Sequence, residues 1–337
     1  VSNLERDPAE IHSDGTATPT PATGATATLA AESPVVVLQP RDVPLGGPRA
    51  MAVRRTLPQR ERSLIGAWCF IDHYGPDDVS RTGGMVVPPH PHTGLQTASW
   101  LFAGQIEHRD SVGSLALVRP GELDLMTAGA GISHSEVSTA NTTALHGVQL
   151  WIALPDQSRH QAPRFESHVI DPVTLDGVTL HVFLGALAGQ VARASGDTPL
   201  VGAQLDLPAG SRIDLDVVPG FEHGVLVDTG SVRFAGRDLQ RSELGFLASG
   251  PSSIRLENTG DTAARVLLLG GEPLGEQIVM WWNFIGRDHD EIAGFRAQWQ
   301  NEVIGAADAA GRFGRVDYVG AALPAPALPN VRLKPRR

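Results

Sequence analysis

The chain has 337 residues, 37 acidic against 27 basic side chains and a formal net charge of -10, a balance that argues against a broad nucleic-acid surface. Its hydrophobic fraction of 42% suits a soluble globular protein long enough for two domains, and no apolar run reaches the length of a membrane span. The single cysteine, Cys69, excludes an intramolecular disulfide and points to a reducing, cytoplasmic setting; between Trp68 and Phe70 it reads as a buried structural thiol.

Residues 1–34 are rich in Ala, Thr, Pro and Gly, with no large side chain beyond Leu29 in GTATPTPATGATATLAAESP, and are expected to be a disordered tail. They lack the basic start and apolar core of a secretory signal. Two strand-like runs follow, PVVVLQP and PRAMAVRRTLP, with Arg54, Arg55, Arg60 and Arg62 as solvated edge charges or a local basic rim. Ile65 to Tyr74 is a further strand-like run, and His73 within it is expected to be packed or solvated.

The densest chemistry lies between Gly84 and Glu136. PPHPHTG holds His90 and His92, and GISHSE holds His134 and Glu136. Each is an i, i+2 pair, so in extended chain both members project to one side of a sheet. Two such pairs on facing strands would make a pocket of three imidazoles and one carboxylate. That donor set suits iron, nickel, copper or zinc and does not suit calcium or magnesium, which prefer all-oxygen shells. The segment between the pairs reads strand, turn, strand, turn, strand: an apolar-rich run from Thr97 to Phe102, another from Ser114 to Val118, then Arg119-Pro120-Gly121 and TAGAG. The competing reading is a surface loop with solvated histidines. His108, in IEHRDSVG, is expected at a hairpin with Arg109 and Asp110 as turn partners, structural rather than beside a metal ligand.

PHPHTGLQT, then LFAGQIEHRDSVG, then RPGELDLMTAGAGISHSE, with RRTLPQRERSLIGAWCFIDHYGP upstream, resemble the metal-binding half of the pirins, a family of bicupins. The resemblance is densest over residues 48–155. It implies an all-β fold of two tandem cupin barrels. It also implies His90, His92, His134 and Glu136 as metal ligands, with iron the usual ion and nickel, copper, zinc or manganese the other candidates. Two positions depart from the pattern: Thr93 and Ala130 stand where pirins commonly carry Arg. Where cupins generally place a further Glu, this chain has Gln96, expected to share strand parity with His90 and His92 and to orient a bound water or substrate.

After His146, VQLWIALP is expected to close the first domain as a strand, with Trp151 in its core. The expected organisation is a tail over 1–34, a metal-binding cupin over 35–155, a connection over 156–198 and a second cupin over 199–285. Recurring short strand-like runs separated by turn signals mark that second barrel, from VGAQLDLP to ARVLLLG. It holds one histidine, His223, with no His-x-His and no later His-x-Glu, so it is expected to bind no metal. Residues 286–337 are expected to form an amphipathic helix over 289–304 and a Pro-rich tail; Ile292, Phe295, Trp299 and Val303 fall at helical spacing, with Asp288 or Asp290 as cap.

The resemblance implies quercetin 2,3-dioxygenase activity on a flavonol, with Glu136 as ligand and base. A second reading is a metal-binding regulator acting through contacts with a transcription factor or metabolic enzyme. A third is a bicupin acting on another small enolic or acidic molecule.

Overall fold

The computed structural model describes residues 34–45, 51–194, 196–308 and 310–335. Residues 1–33 of the expected tail lie outside them. Each half of the chain builds a seven-stranded and a four-stranded antiparallel sheet. In the first half the large sheet runs Arg164–Val169, Glu122–Thr127, Leu95–Ala103, Ala144–Ala153, Trp68–Asp78, Met51–Leu57, Arg41–Leu45. Its partner runs Val86–His92, Ile132–Ser138, Ile106–Asp110, Leu115–Val118. Val53, Tyr74 and Leu101 of the large sheet pack against Val87, Ile106 and Val118 of the small one, which closes the first barrel. The second barrel repeats the plan, with Glu222–Thr229 and Ala264–Gly271 inside its large sheet and Arg212–Asp216 heading its small one. The fold is an all-β double cupin.

Hydrophobic patterning explains which sheets meet. In Arg212–Asp216 (RIDLD) only Ile213 and Leu215 are buried, the alternation of a strand with one wet face. By contrast Leu145 to Ala153 is buried at every position. One of its faces puts Trp151 into the first barrel beside Phe70, Leu95 and Ile132. The other puts Val148, Leu150 and Ile152 against Leu226, Leu267 and Leu269 of the second barrel. A run apolar on both faces is what a strand needs when it serves two cores at once. Polar clasps cross the same seam: Trp100 Nε1 donates to Gln204 Oε1 at 2.8 Å, and Trp68 Nε1 to the Gly270 carbonyl at 3.1 Å.

The structure redraws three sequence-based boundaries. Val36–Leu38, expected in the first domain, pairs with Leu244–Leu247 of the second. The expected connection over 156–198 divides between the barrels, Arg164–Val169 forming an edge of the first large sheet and Val173–Leu175 an edge of the second. The expected helix over 289–304 is α-helical only for His289–Trp299, then widens into a π turn over Gln300–Ile304. Asp288 is its cap, the side chain accepting from the Glu291 N–H at 2.9 Å. Ile292, Phe295 and Trp299 are buried as their spacing predicts, against Trp281, Trp282, Phe284 and Phe313. The Pro-rich segment then returns to the first barrel, where the Leu323 N–H donates to the Pro89 carbonyl at 2.8 Å. Among the described residues no helix is long and apolar enough to cross a membrane.

Candidate metal centre

His90 and His92 end strand Val86–His92; His134 and Glu136 lie on its antiparallel neighbour Ile132–Ser138. The register sets His134 opposite His90 and Ile132 opposite His92, so the i, i+2 spacing aims all three rings into the barrel. Ring centroids are 5.1 Å apart for His90 and His92, 4.3 Å for His90 and His134, and 5.0 Å for His92 and His134. One nitrogen from each of the three lies within 4.8 Å of the others, and all three side chains are buried. Glu136 shares the inward face of its strand and is buried, with a register irregularity between it and His134. The close group of donor atoms comprises the three histidines; Glu136 stands beside them rather than within it.

Backbone carbonyls fix two of the tautomers. His90 Nδ1 lies 2.9 Å from the Pro88 carbonyl and His92 Nδ1 lies 3.2 Å from the Asn283 carbonyl. A carbonyl only accepts, so each Nδ1 carries the hydrogen and each Nε2 keeps its lone pair when the ring is neutral. Burial keeps them neutral: it lowers His90 to about 4, Glu136 partly opposing, and pushes His92 and His134 well below the ordinary imidazole range. His92 Nε2 and His134 Nε2 face each other at 3.1 Å. Neutral imidazoles with converging Nε2 atoms and a buried carboxylate alongside fit a first-row divalent cation. Trp151 closes the wall behind them, its ring 5.1 Å from His92 and stacked at 4.0 Å on Phe70.

Two expectations need correction. Gln96 does not share a face with His90 and His92. The turn at Thr93-Gly94 passes the chain from the small sheet to the large one and resets the alternation; Gly94 takes φ 67°, and a Cβ there would lie 2.5 Å from the Ile285 carbonyl oxygen. Gln96 therefore falls on the side of Ala98 and Trp100, which pack toward the second barrel, and its amide donates to Thr127 Oγ1 at 2.9 Å. His108 is not in a hairpin turn but inside strand Ile106–Asp110, opposite Glu136 and buried. Its Nδ1 lies 3.3 Å from His134 Nδ1 and its Nε2 lies 3.2 Å from Asp110 Oδ2. The signal was the same i, i+2 spacing, His108 to Asp110, that marked the ligands.

The two positions that depart from the pirin pattern also have partners. Thr93 Oγ1 donates to the Ile285 carbonyl at 3.3 Å, and Arg312 from the C-terminal segment donates to the Ala130 carbonyl at 2.6 Å. A cavity of about 350 Å³ lies under that segment, but its lining includes Pro89 and Ser133, on the outward faces of the two ligand strands.

A second buried cluster joins the barrels. Asp228 of strand Glu222–Thr229 accepts on Oδ1 from His73 Nε2 at 2.8 Å and from His146 Nε2 at 2.6 Å; Oδ2 lies 3.3 Å from Arg265 Nη1. His146 and Asp228 both sit at register irregularities, where a strand re-aims a side chain. Burial alone would raise Asp228; the hydrogen bonds from His146 and His73 outweigh it and hold the carboxyl far below its ordinary range. His73 is lowered by burial, with the Asp228 contact partly offsetting. Both Nε2 atoms face a carboxylate oxygen that accepts their protons, so protons alone satisfy this contact.

The family profiles agree with this architecture. The pirin domain profile matches residues 50–152 and the pirin C-terminal cupin profile matches 202–305. A pirin-like protein of Caulobacter vibrioides is 33% identical over 74% of this chain and 88% of its own length. The chain belongs to the pirin family. A Pseudomonas aeruginosa protein named "Putative quercetin 2,3-dioxygenase" is 43% identical over 86% of this chain and 89% of its own. The crystal structure of a quercetin 2,3-dioxygenase from Acinetobacter baumannii superposes with a TM-score of 0.82 at 39% identity, covering 89% of this chain and 97% of that one. Among the described residues the second pirin barrel brings no metal-type group together by itself.

Proposed function

We propose that this pirin is a metal-dependent dioxygenase that opens a flavonol such as quercetin at the His90, His92, His134 centre. The observation that carries the reading is the convergence of three buried, neutral imidazoles whose Nδ1 positions are already engaged. The likeness to proteins named as quercetin 2,3-dioxygenases supports the substrate class. His90, His92 and His134 through Nε2, and Glu136 through its carboxylate, would hold iron. When bound, the ion supplies a Lewis acid that favours the enolate of an acidic hydroxyl. Glu136, buried on the same strand as His134, would serve as the base that takes that hydroxyl's proton. Trp151, packed against His92, would shield one side of the reacting groups from bulk water.

The test is dioxygen-dependent loss of quercetin by iron-reconstituted protein, with bound metal quantified and His92→Ala as control. Turnover that disappears together with the metal in the variant supports the proposal. Stoichiometric metal without turnover would overturn the flavonol assignment.

A further inference from the structure

Of the three histidines, His134 alone has its Nδ1 facing another side chain rather than a carbonyl. We propose that Asp110, acting through His108, is a positioning residue that selects the metal-ready tautomer of His134. The proposal rests on the metal reading of this site, and goes beyond it to residues that touch neither metal nor substrate.

Asp110 Oδ1 is occupied by two backbone donors, the N–H of Val112 at 3.0 Å and of Ser114 at 2.9 Å. That clamp holds the carboxylate and leaves Oδ2 for His108 Nε2 at 3.2 Å. A carboxylate oxygen accepts, so His108 carries its hydrogen on Nε2 and presents a lone pair at Nδ1. Across 3.3 Å stands His134 Nδ1, which must then be the donor. With its hydrogen on Nδ1, His134 offers Nε2 as a lone pair toward His92 Nε2, also a lone pair, 3.1 Å away. The opposite assignment would set a His108 lone pair against the Asp110 carboxylate. The chain of two hydrogen bonds thus stores a choice made at Asp110 and delivers it at the ligand nitrogen.

The ring of His108 is held for this role by stacking on Phe165, centroids 4.5 Å apart and planes 20° apart. Asp110 polarises His108, whose Nδ1 is thereby a stronger acceptor for the His134 N–H.

Asp110→Asn is the sharp test because shape is kept and the choice is reversed. The amide oxygen must stay on the Val112 and Ser114 donors, so the NH₂ group faces His108 Nε2. His108 then carries its hydrogen on Nδ1, and donor meets donor at His134. Long-range ¹H–¹⁵N NMR on histidine-labelled, metal-free protein reads the tautomers without any metal. The expected result is Nδ1–H on His134 and Nε2–H on His108 in the parent, with both reversed in Asp110→Asn. Cobalt(II) affinity, by competition against a chelator, should fall about 10- to 100-fold in Asp110→Asn and in His108→Phe. His108→Asn, which restores an acceptor for His134 Nδ1, should recover part of that loss. Nε2–H on His134 in the parent, or unchanged tautomers in Asp110→Asn, would overturn the proposal. So would cobalt affinity equal to the parent's in both weakening variants. Failure of the parent to bind cobalt at all would instead strike the metal reading, and the tautomer spectrum would still decide the relay.

Discussion

Among the described residues lie two buried histidine clusters of similar size, and the contrast between them lies in what the ring nitrogens face. At His90, His92 and His134 nitrogen faces nitrogen, with 3.1 Å between two Nε2 atoms. At His73 and His146 both Nε2 atoms face one oxygen of Asp228, at 2.8 and 2.6 Å. A proton satisfies the second arrangement. The first brings lone pairs together and calls for a cation. Burial and residue type are nearly the same in both, so neither one by itself distinguishes a metal centre from a structural hub.

The largest expected difference is in metal content. His92→Ala should sharply weaken cobalt or iron binding, since it removes one of three imidazoles and leaves two beside Glu136, while Asp228→Asn should bind as the parent does. Metal analysis after dialysis against trace metal checks both; loss of half the metal in Asp228→Asn would make the hub a second metal site and break the contrast.

Acid should act on the metal-free centre next. His90 is held at about 4 in the fold against about 6.5 in the unfolded chain. The unfolded state therefore binds more protons between those values, and stability falls as pH drops from about 6.5 to about 4, by roughly 3 kcal/mol for this one group. His92 and His134 shift the same way, so the acid loss has the same sign for the whole centre. Denaturant midpoints across that range, with and without bound metal, read the effect; a loaded centre should resist the fall because protons and metal compete for the same nitrogens.

Removing the acceptor of the hub should cost somewhat less. Asp228→Ala leaves His73, His146 and Arg265 without their common partner at the seam between the barrels, at a cost of about 2–3 kcal/mol, just below the roughly 3–5 kcal/mol of a broken buried ion pair because Arg265 is partly exposed and keeps Asp206. Urea unfolding measures it, and metal affinity should stay unchanged.

The convergence of His90, His92 and His134 was legible in the sequence, and the partnership of His73, His146 and Asp228 was not. The His-x-His and His-x-Glu pairs, being local and periodic, were readable because alternation within one strand survives folding. Gln96 was misjudged because its alternation was counted through Thr93-Gly94, where the chain changes sheets. Asp228 and His146 were invisible as partners: they lie 82 residues apart, on different barrels, each at a strand irregularity that periodicity does not register. The second barrel was legible in its turn spacing, while the plan of two tandem cupins came from the family resemblance. The exchange of Val36–Leu38 into the second barrel was not, since three residues of extended chain specify no partner.

The smallest predicted effect is also the most discriminating within the hub. His146→Gln keeps a donor within reach of Asp228 while removing the ring that packs edge-on against Phe102 at 4.9 Å. If hydrogen bonding is what His146 contributes, the variant should lose no more than about 1 kcal/mol and keep its metal affinity. His73, still 2.8 Å from Asp228 Oδ1, would hold the carboxylate in place. A loss nearer that of Asp228→Ala would mean that ring packing at the seam, rather than the shared oxygen, ties the two barrels together. The comparison between the clusters would then rest on shape as well as on proton count, and a double variant with Phe102→Leu would separate the two through its coupling energy.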